Sequence, residues 1–235
     1  MEVAYQHIKV IAFDADDTLW VNEPYFREAE HKVAQLLSSY ETQNKINQEL
    51  YKIEIDNLSY YGYGVKGFIL SMIELALSIS NHKVSVGVIE QIISIGKDML
   101  CKPIELLDGV KEVLESLGKH YKLIVATKGD LLDQERKLEK SDLLAYFHHV
   151  EVMSDKKEKD YLKIIKHLDI KPSEFLMVGN SLKSDVLPLI SIGASAIHIP
   201  YHTTWMYEQV ETVAHNSSDY KTLDNFTDLK KIFIS

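Results

Sequence analysis

Four short apolar runs constrain the fold of this chain most strongly: "IKVIAF" (8–13), "YKLIVAT" (121–127), "FLMVG" (175–179) and "SAIHIP" (195–200). Each is too short for a helix, is rich in Val and Ile or flanked by Gly and Pro, and ends on polar or small residues, so each reads as a strand. Helical patterns lie between the later ones. In "DGVKEVLESLGK" (108–119), Val110, Val113, Leu114 and Leu117 follow three-four spacing ahead of Gly118. "KDYLKIIKHLDI" (159–170) places Tyr161, Leu162, Ile165 and Leu168 on one face. "SDVLPLISIGA" (184–194) reads as a helix with a proline inside it, closed at Gly193. Strands alternating with helices of this length predict an α/β fold, a parallel sheet with helices on both faces.

The stretch between the first two strands breaks that alternation. Residues 26–40, 44–58, 65–80 and 85–100 all read as helical, with no strand-like run among them. "FREAEHKVAQLLSSY" carries Phe26, Ala29, Val33, Leu36 and Leu37 on one stripe, and "KGFILSMIELALSI" is apolar nearly all round, as a central bundle helix would be. The predicted organisation is therefore an α/β core domain from 1–20 and 104–235, interrupted by an inserted all-helical subdomain, 21–103, with its own small core. A chain of 235 residues with 46% apolar content can supply both cores.

Charge and cysteine usage narrow the class. Lys and Arg number 26 against 35 Asp and Glu, a formal charge of −9, which argues against general nucleic-acid binding. The single cysteine, Cys101, permits no intrachain disulfide and fits a reducing compartment. The opening "MEVAYQHIKVIAFD" lacks a signal-peptide pattern, and no run approaches the ~18 apolar residues of a membrane span. The expectation is a soluble cytoplasmic protein, a monomer or weak homodimer, with no membrane or nucleic-acid partner. The histidines show no ligand spacing, and His148 and His149 are adjacent, so zinc is not expected.

Ligands of such sheets bind beyond the carboxyl ends of the strands, and there the polar residues collect. The first run ends in Asp14, Ala15, Asp16, Asp17 and Thr18, and the second in Thr127. Lys156, Lys157 and Lys159 follow the next apolar stretch. The fourth strand ends in Gly179, Asn180 and Ser181, with Asp185 just beyond. These are the parts of a phosphoryl-transfer site. One carboxylate can attack phosphorus and a second can donate and then recover a proton. A hydroxyl and an ammonium can hold the phosphoryl oxygens. Clustered carboxylates repel one another unless a cation lies between them, and hard oxygen ligands suit Mg²⁺.

In order and spacing these residues resemble the haloacid dehalogenase superfamily of hydrolases over nearly the whole chain. That family's first motif, D-x-D-x-T, stands here as Asp14-Ala15-Asp16-Asp17-Thr18. Its second, a Thr or Ser closing an apolar strand, matches Thr127 in "LIVATKGD". Its third, a Lys ahead of a helix, is best matched by Lys156 in "SDKKEKDYLKII", with Lys157 and Lys159 as the other candidates. Its fourth, G-D-S-x-x-x-D, matches "GNSLKSD" (179–185), with Asn180 in place of the usual Asp. The helical block corresponds to the family's C1-type cap.

The resemblance implies a Rossmann-like core, catalytic residues Asp14, Asp16, Thr127 and Lys156, and Mg²⁺ held by Asp14, Asp16, Asn180 and Asp185. Substrate would meet Thr127 and Lys156, with Lys128 and Tyr61 as further contacts. True dehalogenases of the superfamily lack the second Asp of the first motif, so Asp16 favours the phosphatase branch. The implied activity is Mg²⁺-dependent hydrolysis of a small phosphorylated metabolite through an aspartyl-phosphate, under a cap that opens and closes. The rivals are a phosphomutase of the β-phosphoglucomutase type and a binding or regulatory relative with weak turnover; Asn180 is the feature favouring the latter.

Several residues keep two readings. Asp17, next to Asp16, reads as a hydrogen-bonding residue of the turn, and Thr18 as a hydroxyl that orients the acid cluster. Lys128 reads either as a phosphate or leaving-group contact or as a surface lysine. "YYGYG" (60–64) is either a loop over the active site or a turn whose tyrosines fill the cap's core. "YHTTW" (201–205) follows the last strand and is a candidate lining of the same mouth.

Overall fold

The computed structural model describes residues 5–210 and 220–234. The chain falls into two compact units: Met1–Glu23, Ile104–Lys128 and Gln134–Ser235 form one, Pro24–Pro103 with Gly129–Asp133 the other. The first unit is built on strands β1 (Val10–Phe13), β2 (Lys122–Lys128), β3 (His149–Met153), β4 (Phe175–Gly179), β5 (Ser195–His198) and β6 (Lys221–Thr222). They pair in parallel in the order β3-β2-β1-β4-β5-β6.

Helices cover both faces of this sheet, as the alternation predicts. Successive strand residues point to opposite sides. Ile11, Phe13, Val125, Leu176, Val178 and Ile197 enter one core with residues of α5 (Val110–Leu117), Leu138 of α6 (Leu131–Lys140) and residues of α9 (Leu229–Phe233). Val10, Ala12, Ile124, Ala126, Phe175, Met177 and Ala196 enter the other with Tyr161, Ile164 and Ile165 of α7 (Glu158–His167) and Leu189 of α8 (Leu187–Ser191). β1 is buried along its whole length, which is why its sequence is a continuous apolar run.

Two details depart from expectation. Leu162 does not share the buried face of α7; it is 43% exposed, and Ile164 takes that place. Residues 161, 164, 165 and 168 obey the helical period, and 162 stands about 100° away from 161. Second, "SDVLPLISIGA" is not one helix with an internal proline. The chain makes a wide turn of π type over Leu182–Val186, and α8 starts afterwards with Pro188 in its first turn. Proline there needs no amide partner and meets no preceding carbonyl.

The second unit comprises α1 (Glu23–Leu36, its first residue counted with the sheet), α2 (Gln43–Tyr61), α3 (Val65–Ile79) and α4 (Val86–Cys101). α3 contacts both α2 and α4, which accounts for its apolar composition. Val33, Leu37, Ile46, Leu50, Phe68, Met72, Leu75 and Ile92 form the unit's own core. Lys66 at the start of α3 pairs with both oxygens of Asp130 at 2.9 and 3.0 Å. No helix among the described residues is long and apolar enough to cross a membrane.

Gly96 of α4 lies against Ile69 of α3. A Cβ there would lie 2.0 Å from Ile69 Cδ1 and 2.1 Å from Cγ1. Alanine gains up to about 1 kcal/mol of helix propensity over glycine, whereas overpacking a core costs about 1–3 kcal/mol. Gly96→Ala is therefore expected to lower stability to urea unfolding on the order of 1–2 kcal/mol. In an Ile69→Ala background, which removes the clashing atoms, the same change should cost nothing.

Candidate active site

The strand order doubles back at β1. The chain runs outward through β2 and β3, then returns to place β4 on the other side of β1. Ligands of open α/β sheets bind in the crevice at such a reversal, beyond the strand ends. Asp14 is the first residue past β1, and its N–H donates to Val178 O of β4 at 2.9 Å. Asn180 is the first residue past β4. The Thr18 hydroxyl lies 3.3 Å from Asp14 Oδ2 and 3.3 Å from Asn180 Oδ1, so one hydroxyl is shared by the two strand ends. The His198 ring donates to the Asn180 carbonyl at 3.0 Å, fixing that residue from β5.

Lys156 arrives from the junction of β3 and α7. Its side chain is 1% exposed, and its ammonium contacts Asp14 Oδ1 and, at 2.7 Å, Asp185 Oδ1. Lys157, by contrast, pairs at the surface with Asp155, and Lys159 is exposed. Asp185 Oδ2 accepts the Ser181 N–H at 3.0 Å. The wide turn after β4 thus folds Asp185 back onto its own first residue.

One ammonium between two buried carboxylates leaves a surplus negative charge. Burial is the largest influence on Asp14 and raises its pKa; Asp185 and Asp16 push the same way, Lys156 offsets them in part, and the carboxyl stands at about 7. Burial disfavours the Lys156 ammonium, but the two carboxylates outweigh it and raise its pKa, so it stays charged. Among the described residues no three His, Cys, Asp or Glu side chains gather into a metal cage. The edge offers instead hard oxygens of Asp14, Asn180 and Asp185 with unbalanced negative charge. That donor set fits a hard divalent cation such as Mg²⁺.

The structure brings Asp16 to a different set of partners. Its Oδ1 accepts Trp20 Nε1 at 2.7 Å and Lys137 Nζ at 2.9 Å, and its Oδ2 accepts Gln134 Nε2 at 3.0 Å. Both oxygens thus meet donors from Trp20, Lys137 and Gln134. Gln134 Nε2 is also 2.9 Å from Thr127 Oγ1, which joins Asp16 to the end of β2. Asp17 adopts φ 60°, a conformation Asp tolerates, and its carboxylate accepts the N–H groups of Asn22 and Glu23 at the start of α1.

Lys128 is half-buried rather than a surface lysine. Its ammonium is 2.5 Å from Glu208 Oε1 and 2.8 Å from Ser184 Oγ. Glu208 Oε2 accepts the hydroxyls of Ser181 at 2.5 Å and Ser184 at 2.6 Å. Burial would raise the Glu208 pKa, but Lys128 and the two hydroxyls prevail and lower it. The segment after β5 thus reaches this cluster through Glu208, whereas Tyr201 and Trp205 of "YHTTW" are half-buried in ring contacts with His202 and Tyr207. In the helical unit, Tyr60 is 81% and Tyr61 41% exposed, so neither fills its core. Tyr61 donates to Glu74 at 2.6 Å.

Gln134, Lys137 and Glu208 escape the sequence reading. Gln134 and Lys137 stand three apart, one face of a helix, and that spacing is the signal that was there to find.

Comparison with known proteins gives the family. A model of the haloacid dehalogenase-like hydrolases matches residues 8–193. A haloacid dehalogenase-like family hydrolase of known structure from Xanthomonas campestris is 34% identical, with a TM-score of 0.85, over 96% of this chain and 90% of that one. N-acylneuraminate-9-phosphatase from Mus musculus is 24% identical over 204 residues, 80% of this chain and 81% of that protein. A phosphatase of the same fold from Thermococcus onnurineus is 22% identical, with a TM-score of 0.63, over 96% of this chain and 97% of that one. The chain belongs to the haloacid dehalogenase-like hydrolase family and is an enzyme of its phosphatase class.

Gly179 closes β4 against Asp185. A Cβ there would lie 2.3 Å from Asp185 Oδ2, 2.4 Å from Cγ and 2.6 Å from Cβ, so the whole carboxyl arm would have to move. Gly179→Ala is expected to cost about 1–3 kcal/mol in thermal unfolding and to depress turnover by displacing Asp185 from Lys156. Gly87→Ala, where the nearest atom is Ser85 Oγ at 3.9 Å, should stay within about 0.5 kcal/mol of the parent.

Proposed function

We propose that the enzyme hydrolyses a small phosphomonoester in two steps through a phosphorylated Asp14. The observation that carries this reading is the buried Lys156 ammonium joined to Asp14 and Asp185 at the strand reversal. An Asp14 oxygen attacks phosphorus, the bond from phosphorus to the leaving oxygen breaks, and Asp16 gives that oxygen a proton. Water then attacks the acyl-phosphate, Asp16 takes the water's proton, and phosphate leaves with Asp14 restored. Thr127 and Lys156 hold the phosphoryl oxygens. Asp14, Asp16, Asn180 and Asp185 would hold Mg²⁺, which when bound supplies positive charge against the phosphoryl group.

Lys128, held by Glu208 beside Thr127, borders the leaving group on this reading. The helical unit, 21–103 with Tyr61 on it, serves as the cap that selects the substrate. The N-acylneuraminate-9-phosphatase relatives make sugar and sugar-acid phosphates the first compounds to assay. A cytoplasmic location and a monomer or weak homodimer belong to the same proposal.

Asp14→Asn should lower kcat by at least roughly 10³-fold on every phosphomonoester hydrolysed, since an amide forms no acyl-phosphate and loss of a nucleophile costs at least that much. Retention of about a tenth of kcat would exclude Asp14 as nucleophile.

Chelation with EDTA should abolish activity and added Mg²⁺ restore it. Asn180→Asp should lower the Mg²⁺ concentration giving half-maximal rate, because a carboxylate near a divalent cation gains Coulomb energy even at an effective dielectric of ~20. Asp185→Ala should raise it. Unmoved midpoints in both variants would remove these residues from the metal site.

A further inference from the structure

The Asp16 carboxylate is gripped from one face of a helix far along the chain. Gln134 and Lys137 of α6 supply two of its three donors, and Trp20 supplies the local one. Lys137 also donates to Asn22 Oδ1 at 2.8 Å, so its ammonium ties the acid to the chain that follows it. Gln134 Nε2 faces Asp16 Oδ2, Thr127 Oγ1 and, at 2.8 Å, Lys128 O. A carboxylate and a carbonyl only accept, so the amide must present its nitrogen to them. Its Oε1 is buried with no hydrogen-bond partner among the described residues. The donor edge of this side chain is therefore satisfied at the expense of its acceptor edge. The Thr127 hydroxyl accepts from Gln134 and donates to Lys128 O at 3.3 Å.

We propose that Gln134 and Lys137 are the positioning residues of the proton-transfer step. Together they fix the Asp16 carboxylate at a set distance from the Thr127 hydroxyl, so that the group serving the leaving oxygen and the group holding the phosphoryl oxygens are aligned as one piece. The inference rests on Asp16 being the proton donor, and it predicts a dependence on the leaving group that a merely structural role would not give. A poor leaving group needs the proton, and a good one needs it much less.

The test compares kcat/KM of the full-length enzyme with Mg²⁺ on phenyl phosphate and on p-nitrophenyl phosphate, similar in size and different in leaving group. kcat/KM stops at departure of the leaving group and is blind to the later attack of water. Lys137→Met and Gln134→Leu should each lower kcat/KM for phenyl phosphate about ten-fold or more while lowering it less than about three-fold for p-nitrophenyl phosphate. Lys137→Arg, which keeps donors and charge, should retain the parent ratio. Asp16→Asn is the control for the underlying reading and should show the same bias more strongly. If Asp16→Asn lowers both substrates equally, Asp16 is not the proton donor and the proposed function is at fault. If Asp16→Asn shows the bias but Lys137→Met and Gln134→Leu lower both equally or neither, the positioning role is overturned. Should Lys137→Met fail to fold, as read by thermal unfolding, Gln134→Leu and Lys137→Arg decide the matter.

Discussion

The buried ammonium of Lys156 is the interaction on which the polar edge of the sheet depends. Asp14 follows β1 and Asp185 lies in the turn after the neighbouring β4; both are buried, and the one ammonium touches both. Removing one member of a buried pair typically costs 3–5 kcal/mol, because the remaining charge is left uncompensated. Three local structures exist to bring these groups together. β1 carries Asp14 to the sheet edge, the wide turn after β4 folds Asp185 back against Gly179, and the start of α7 leaves Lys156 pointing inward while Lys157 points to water.

A second ion pair fixes what surrounds the first. Lys128 at the end of β2 pairs with Glu208, which also accepts the hydroxyls of Ser181 and Ser184 at the wide turn. Buried pairs of this kind contribute little net stability and more to specifying one arrangement. Here the arrangement specified is the course of the chain after β5. Glu208 links that segment to β2 and to the turn carrying Asp185, so three regions distant in sequence share one carboxylate.

Legibility followed burial. β1, β2, β4 and β5 are covered on both faces, so their sequences are continuous apolar runs and declare themselves. The four helices of the second unit show three-four periodicity because each turns a side to a common core. α6 had no such stripe: Leu131 and Leu132 are 58% and 54% exposed, and Leu138 is its contribution to the core. A helix placed by polar contacts leaves no hydrophobic pattern to read, and α6 carries Gln134 and Lys137. Motifs therefore exposed Asp14, Thr127, Lys156 and Asp185, whose positions follow from strand ends. The partners that orient them depend on tertiary approach across tens of residues; Gln134 and Lys137 leave only their three-residue spacing as a local trace, and Glu208 leaves none.

Asn180 shows how charge, rather than geometry alone, shapes this edge. Its Oδ1 shares the Thr18 hydroxyl with Asp14, so a side-chain oxygen stands beside Asp14 at that position. With aspartate there, three carboxylates would face a single ammonium, a net charge of −2 before any metal arrived. A phosphomonoester brings negative charge of its own, and at 4 Å and an effective dielectric of 20 each like-charge pair costs about 4 kcal/mol. The amide keeps the ligand oxygen and sheds one such repulsion, at the expense of attraction for the cation. On the proposed reading, the site trades metal affinity for easier approach of an anionic substrate. Asp185, Asp14 and Asp16 then carry the negative charge of the proposed metal site, and Lys156, in contact with the first two, moderates how strongly they can bind it.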